Sequence, residues 1–73
     1  MGQLTHEQYD RLERAVTRGQ RISVYRRGTE YIVIPLALQN RNGREVIDAR
    51  NPITGDWLSL YLDELEGIEL VGS

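Results

Sequence analysis

The sequence predicts a mainly β, α+β fold in which an N-terminal α-helix precedes five short antiparallel strands that bend strongly and close into a small barrel. Three observations predict this class. Apolar residues recur at helical spacing before Gly19 and at a spacing of two after it. Turn-forming residues divide the second part into short segments. The length of 73 residues suits a single domain, which we assign to residues 1–73.

The helix is predicted from signals at its first turn. Thr5 and Gln8 have the spacing of a capping box, and Leu4 and Tyr9 have that of a hydrophobic staple on either side of the cap. The apolar stripe along the helix is narrow, so the helix must pack on the strands to be stable. Gly19 supplies the left-handed residue at which helices commonly end.

The strands follow from alternation and turn chemistry. Ile22 and Val24 alternate with polar residues, Asn42-Gly43 is a strong hairpin signal, and Trp57 lies in a strand whose leucines point inward. A single helical turn precedes the last strand. The predicted helix spans about residues 5–18, and the strands span about 20–27, 30–39, 44–50, 56–62 and 68–71.

The second strand is apolar on both faces. Pro35 cannot donate a backbone hydrogen bond, which predicts a bulge or an edge at that point. We place the face that holds Ile34 in the core and expect the opposite face to be covered by the helix or by another subunit. The predicted core consists of Leu12, Val16, Ile22, Val24, Ile34, Leu36, Leu58, Leu60 and Leu62.

Composition argues against catalysis and metal binding. The chain has no cysteine, and its one histidine, His6, lies at the predicted helix start, so we expect no metal, no cofactor and no enzyme. The acidic residues between Asp63 and Glu69 are typical of a solvated face. The formal net charge is −2 and no apolar run has the length of a membrane span, which favours a cytoplasmic protein.

Helix, five strands and a turn before the last strand is the order of an Sm-like or SH3-like barrel. Within it the stretch 18–71 resembles the WYL domain of bacterial regulators. The resemblance rests on Ile22-x-Val24-Tyr25, on Ile34-Pro35-Leu36-Ala37-Leu38, on the strand led by Gly43, and on Leu60-x-Leu62-Asp63. It implies a small-barrel fold and a role in transcription regulation.

Two departures separate the chain from the WYL pattern. The triplet that gives the WYL domain its name falls on Glu45-Val46-Ile47. Of these three residues only the last, Ile47, is of the same apolar kind as the family's residue. The arginines that this family uses to hold nucleotides or nucleic-acid strands would fall near Leu58, Tyr61 and Glu64. The resemblance therefore implies the fold and not the ligand chemistry.

A second resemblance is confined to the helix and the strand order. The segment 9–15 followed by a small barrel is similar to Rof, a small inhibitor of the transcription terminator Rho that acts through acidic contacts. An Sm-type RNA ring has a similar architecture, but this chain lacks the basic, histidine-bearing loop with which such rings bind RNA.

Two surfaces are candidate sites. A basic patch beside an aromatic residue is the mixture that single-stranded nucleic acid favours, although at most weak binding is expected from so few cations. Apolar and aromatic residues on two strands form a candidate protein interface. The patch comprises Arg21, Tyr25, Arg26 and Arg27, and the interface comprises Tyr31, Val33, Trp57 and Tyr61.

These observations predict a non-enzymatic bacterial regulatory or accessory binding module that recognises a protein or a nucleic-acid or nucleotide ligand. The alternative is a structural small-barrel domain that self-associates into a dimer or ring. One helix covers only part of the apolar strand surface, so we expect a homo-oligomer whose contacts include some of the interface residues.

Overall fold

The computed structural model describes residues 5–71. An N-terminal helix and five antiparallel strands in one sheet follow one another in the predicted order. The staple predicted for Leu4 lies outside the described residues. No described helix has the length and apolar character needed to cross a membrane. The elements are α1 (His6–Arg18), β1 (Ile22–Arg26), β2 (Thr29–Arg41), β3 (Arg44–Arg50), a 3-10 turn (Leu62–Glu64) after β4 (Trp57–Tyr61), and β5 (Gly67–Leu70).

Helix α1 begins with the predicted capping box. The Gln8 amide donates to Thr5 Oγ1 at 3.1 Å, and the Thr5 amide donates to Gln8 Oε1 at 2.9 Å. Gly19 ends the helix in the left-handed region with a φ of 65°. At mid-helix Leu12 and Ala15 are fully buried against the sheet. The helix is therefore fixed by its caps and by packing on one face of the strands.

The sheet has the strand order β4-β3-β2-β1-β5, and β2 is its longest member. The first part of β2, residues 29–33, pairs with β1, and residues 34–41 pair with β3. Pro35 pairs with Ala49 and Ala37 pairs with Asp48, so Leu36 is an extra residue in β2. This confirms the predicted bulge. The bulge bends β2 and lets one strand serve both halves of the sheet.

Strands β4 and β5 are the two ends of this sheet. The chain leaves β4 through the 3-10 turn and returns to β1, where Ile22 pairs with Leu70. Within residues 5–71 no pairing joins β4 to β5. The described sheet is thus open along one side, whereas the sequence predicts a closed barrel.

The face of the sheet that packs against α1 is called the inner face. Here Val33 pairs with Ile22, and Leu60 pairs with Ile47, which places all four side chains in the core. Most of the remaining core comes from the helix and from the end of the chain. The buried cluster contains Leu12, Ala15, Ile22, Val24, Val33, Ile47, Ala49, Leu60, Leu62, Leu65 and Ile68.

The predicted core assignment of β2 is wrong for Ile34 and Leu36. Val33 is 2% exposed and lies on the inner face, whereas Leu36 is 37% exposed and Ile34 is only half-buried. Both faces of the strand are apolar, so alternation alone does not identify the buried one. Which face of β2 is buried is determined by the packing of α1, because the helix covers the face that carries Val33.

Candidate protein-binding face

The face of the sheet opposite the helix is called the outer face. Of the described elements, α1 is the only α-helix, and its buried residues belong to the inner core. The outer face therefore has no helical cover in the part of the chain from residue 5 to residue 71. Val46 and Ser23 on this face are buried, and its exposed side chains are those that a partner can reach.

Four large apolar residues lie at one end of the outer face, three on β2 and Trp57 on β4, with Arg50 of β3 between them. Ile34 pairs with Arg50, and Arg50 pairs with Trp57, so the three form one row across β2, β3 and β4. Ile32 precedes this row along β2, and Leu36 follows it at the bulge. Ile32 is 39% exposed, Leu36 37% and Trp57 73%. We call Ile32, Ile34, Leu36 and Trp57 the outer strip.

A polar cluster lies beside the outer strip and fixes the three strands to one another. The Asp48 carboxylate on β3 accepts hydrogen bonds from Gln39 at 2.7 Å, from Arg41 at 3.0 and 3.1 Å, and from Ser59 at 3.0 Å. The Asp48 side chain is only 15% exposed. Its negative charge is thus balanced by one arginine and solvated by two further donors.

Arg44 holds the far end of the outer face. Its guanidinium lies over the Tyr61 ring, with Cζ 3.8 Å from the centroid. Its Nε and Nη2 donate to the two oxygens of Asp63 at 3.0 and 2.8 Å, and Nη2 is 3.4 Å from Glu64. The hydrogen bonds and charge of Arg44 hold the pKa of Asp63 below its usual value. The 3-10 turn, which we call the acidic turn because it carries Asp63 and Glu64, is therefore bound to β3 of the sheet through Arg44.

The residues of the predicted basic patch are not brought together on one surface. Alternation along β1 puts Tyr25 opposite Glu30, to which its hydroxyl donates at 3.4 Å, whereas Arg26 points to the other face. Arg26 lies 3.9 Å from Glu64 and 5.3 Å from the Tyr31 centroid. Arg27 occupies the β1–β2 turn with a φ of 53°, and Arg21 precedes the opposite end of β1.

The residues of the predicted protein interface are divided between the two faces. Val33 is in the core, and Tyr31 is half-buried and packs against that core, so the helix covers this face of β2. Trp57 and Tyr61 lie on the outer face, where Trp57 is largely exposed and Tyr61 supports Arg44. The interface as predicted is therefore not a single surface, because Val33 is inaccessible.

Ile32 and Leu36 are exposed, whereas the sequence predicted them on the apolar face of β2 that holds Ile34. The available signal was Pro35, since a bulge brings an extra residue to the surface and changes the phase of the strand. That signal marks the position of the change. It does not say which half of the strand faces the helix.

Several acidic side chains of the described residues take part in contacts within the fold. Between residues 5 and 71 no three histidine or acidic side chains lie close enough together to hold a metal ion. Asp63 and Glu64 contact arginines, and Glu66 Oε1 accepts from the Gly28 amide at 3.0 Å. These carboxylates are used in structural contacts.

A single helix packed on a bent, five-stranded antiparallel sheet agrees with the small-domain fold that the WYL resemblance implies. Among solved structures, this chain is similar to proteasome accessory factor B/C (PafBC) of Arthrobacter aurescens. The TM-score is 0.77 at 23% sequence identity. The match covers 99% of this chain and 13% of that chain, so it concerns a small part of the larger protein.

Comparison with models of known protein families and with curated protein sequences gives no match. At 23% identity the structural likeness concerns the fold alone. The residues of the outer face must therefore carry any argument about function.

Proposed function

We propose that this chain is a cytoplasmic, non-enzymatic regulatory module that binds a protein partner through the outer strip. The observation that carries the proposal is the grouping of Ile32, Leu36 and Trp57, three of the four large apolar residues that are exposed among the described positions. Ile32, Ile34 and Leu36 are neighbours along β2, and contiguous exposed apolar residues mark interaction sites more often than scattered ones do. Tryptophan is also enriched among the residues that dominate binding energy at protein interfaces.

The rigidity of the outer face supports this use. Asp48 joins Gln39 and Arg41 on β2 to Ser59 on β4, so the strands that carry the strip are held in one arrangement. A partner that binds a preorganised surface loses less conformational entropy. The strip is thus suited to recognition without a prior folding step.

Charge favours a protein over a nucleic acid as the partner. Arg41 and Arg44 on the outer face contact carboxylates, Arg50 on the same face forms no ion pair with the described residues, and the chain as a whole carries a net charge of −2. Nucleic-acid binding depends on several cations free to neutralise phosphates. The likeness to PafBC, a proteasome accessory factor, supports a regulatory setting for such a module.

The proposal is tested by affinity capture from a lysate of the source cells, using the chain and a variant with Ile32→Ser and Leu36→Ser. The parent should retain a defined partner in the presence of nuclease, and the variant should lose it. Both replaced side chains are more than one-third exposed, so the variant should keep a cooperative thermal transition.

Two control variants make the result specific. Ile53→Ser changes an isoleucine that is 91% exposed in the β3–β4 loop, and it should leave capture unchanged. Arg26→Glu with Arg27→Glu alters the predicted basic patch and should also have no effect. If nuclease removes the partner from the parent chain, or if the arginine variant loses the partner while the Ile32→Ser and Leu36→Ser variant keeps it, recognition is through nucleic acid. Either result would overturn the proposal.

A further inference from the structure

Strand β4 is an edge strand without the usual protection. One side pairs with β3, and the other side is unpaired within residues 5–71. Natural edge strands commonly carry a charged residue, a proline or a bulge that discourages pairing with another chain. The segment 57–61 has none of these, since its residues are Trp, Leu, Ser, Leu and Tyr.

The order of residue types in β4 is the same from either end. An aromatic residue stands at each end, leucine follows on each side, and Ser59 is at the centre. Trp57, Ser59 and Tyr61 lie on the outer face, and Leu58 and Leu60 lie on the inner face. A strand of this kind is complementary to itself in antiparallel orientation, which is what a two-fold symmetric interface requires.

We propose that two copies of this chain associate through β4, antiparallel, about a two-fold axis at Ser59. Trp57 then lies opposite the partner's Tyr61, and Leu58 lies opposite the partner's Leu60. Residues directly opposite in an antiparallel pair share a face, so the outer faces of the two sheets become continuous. Trp57 belongs to the outer strip as well, but the inference does not depend on the proposed function, because Ile32, Ile34 and Leu36 on β2 take no part in it.

The register about Ser59 is the one that uses the whole strand. A shift by two residues would leave two of the five residues of β4 opposite loop positions. In the proposed register the flanking carboxylates also avoid each other, since position 56 lies opposite the partner's 62 and position 63 opposite the partner's 55. No two carboxylates are therefore directly opposite each other.

The other free edge is less suited to the same use. Strand β5 has four residues, and one of them is the exposed Glu69. Its sequence, Gly-Ile-Glu-Leu, has no such symmetry of residue types. Self-pairing through β5 would bring two carboxylates close together, so β4 is the edge that fits a second copy.

A single introduced thiol tests the arrangement, because the sequence contains no cysteine. Directly opposed residues in antiparallel strands have Cα atoms about 4.5–5.5 Å apart, which lies within disulfide range. Ser59→Cys should therefore give a covalent dimer under mild oxidation. Glu69→Cys, a matched change on the other edge strand, should cross-link only at the rate of random collision.

The mass of the unmodified chain by light scattering provides a second measurement that needs no variant. It should be twice the mass of one chain, and the variant with Ile32→Ser and Leu36→Ser should keep that mass. A monomer at high micromolar concentration, or equal cross-linking of the two cysteine variants, would overturn the proposal. Faster cross-linking in a mixture of Ser59→Cys and Glu69→Cys chains than in either alone would also overturn it, in favour of a head-to-tail ring.

Discussion

Arg44 stacks on Tyr61 with 3.8 Å between its guanidinium carbon and the ring centroid, while the same guanidinium binds Asp63 through two hydrogen bonds. One side chain on β3 thus contacts β4 and the turn that follows β4. The planar guanidinium can stack and bind a carboxylate at once, which an ammonium group cannot do.

The first prediction concerns this contact. Arg44→Lys should lower the melting temperature by a few degrees, because the stacking and the paired hydrogen bonds are both lost. Arg50→Lys is the matched control, since Arg50 is exposed and forms no ion pair with the other described residues. Equal effects of the two substitutions in a thermal scan would show that the Arg44 contacts contribute nothing.

The second prediction is a pH dependence. The pKa of Asp63 is lowered from 3.8 in the folded chain, mainly by its hydrogen bonds with Arg44. Its contribution to stability is therefore present above the unfolded pKa and is lost as pH falls through the folded pKa. The difference in melting temperature between the parent and Arg44→Gln should be largest near neutral pH and should fall, well below pH 3.8, to the part that stacking on Tyr61 contributes. A difference that is constant with pH would contradict this account.

The third prediction tests the phase of the strands. Leu60 is 1% exposed, so Leu60→Ala should lower the free energy of unfolding by about 2–5 kcal/mol. Leu36→Ala removes the same group from a side chain that is 37% exposed, and its cost should be under about 1 kcal/mol. Denaturant titration of both variants gives the two values, and similar costs would mean that Leu36 is buried.

The fourth prediction concerns the contact between the helix and β3. The Tyr9 hydroxyl donates a hydrogen bond to Glu45, which together with burial raises the pKa of Tyr9 to about 12. A raised pKa stabilises the fold below the unfolded value of 10.0, and that stabilisation is lost as pH rises through the folded value. Denaturation midpoints of the parent and Tyr9→Phe should therefore converge between pH 10 and 12. Parallel curves would exclude the contact.

Local signals in the sequence predicted the framework well. The capping box of Thr5 and Gln8 marks the start of α1, and Asn42-Gly43 marks the β2–β3 turn, where both residues have positive φ values. These features depend on a few neighbouring residues. Their chemistry is therefore visible without knowledge of the fold.

The two faces of β2 could not be assigned from such signals. Ile32, Val33 and Ile34 are all β-branched and apolar, so each is compatible with either face. The choice depends on which face the helix covers, and that is a tertiary property. The outer strip was missed for the same reason, because exposure of Ile32 follows from burial of Val33.

Contacts between charged residues that are far apart in the sequence could not be predicted either. Arg44 and Asp63 are separated by 19 positions, and nothing in their local sequence indicates that they meet. The acidic turn consequently resembled a solvated face in the sequence. In the structure it is the attachment point of two arginines, Arg26 and Arg44.

The ladder between β1 and β5 has a consequence for the order of folding. Strands β1 to β4 are joined by hairpins, whereas pairing of Ile22 with Leu70 closes a loop that contains almost all of the sheet. Closing long loops costs chain entropy that short hairpins avoid. We therefore expect the β5 amides to gain protection last during refolding, and their hydrogens to exchange first under native conditions.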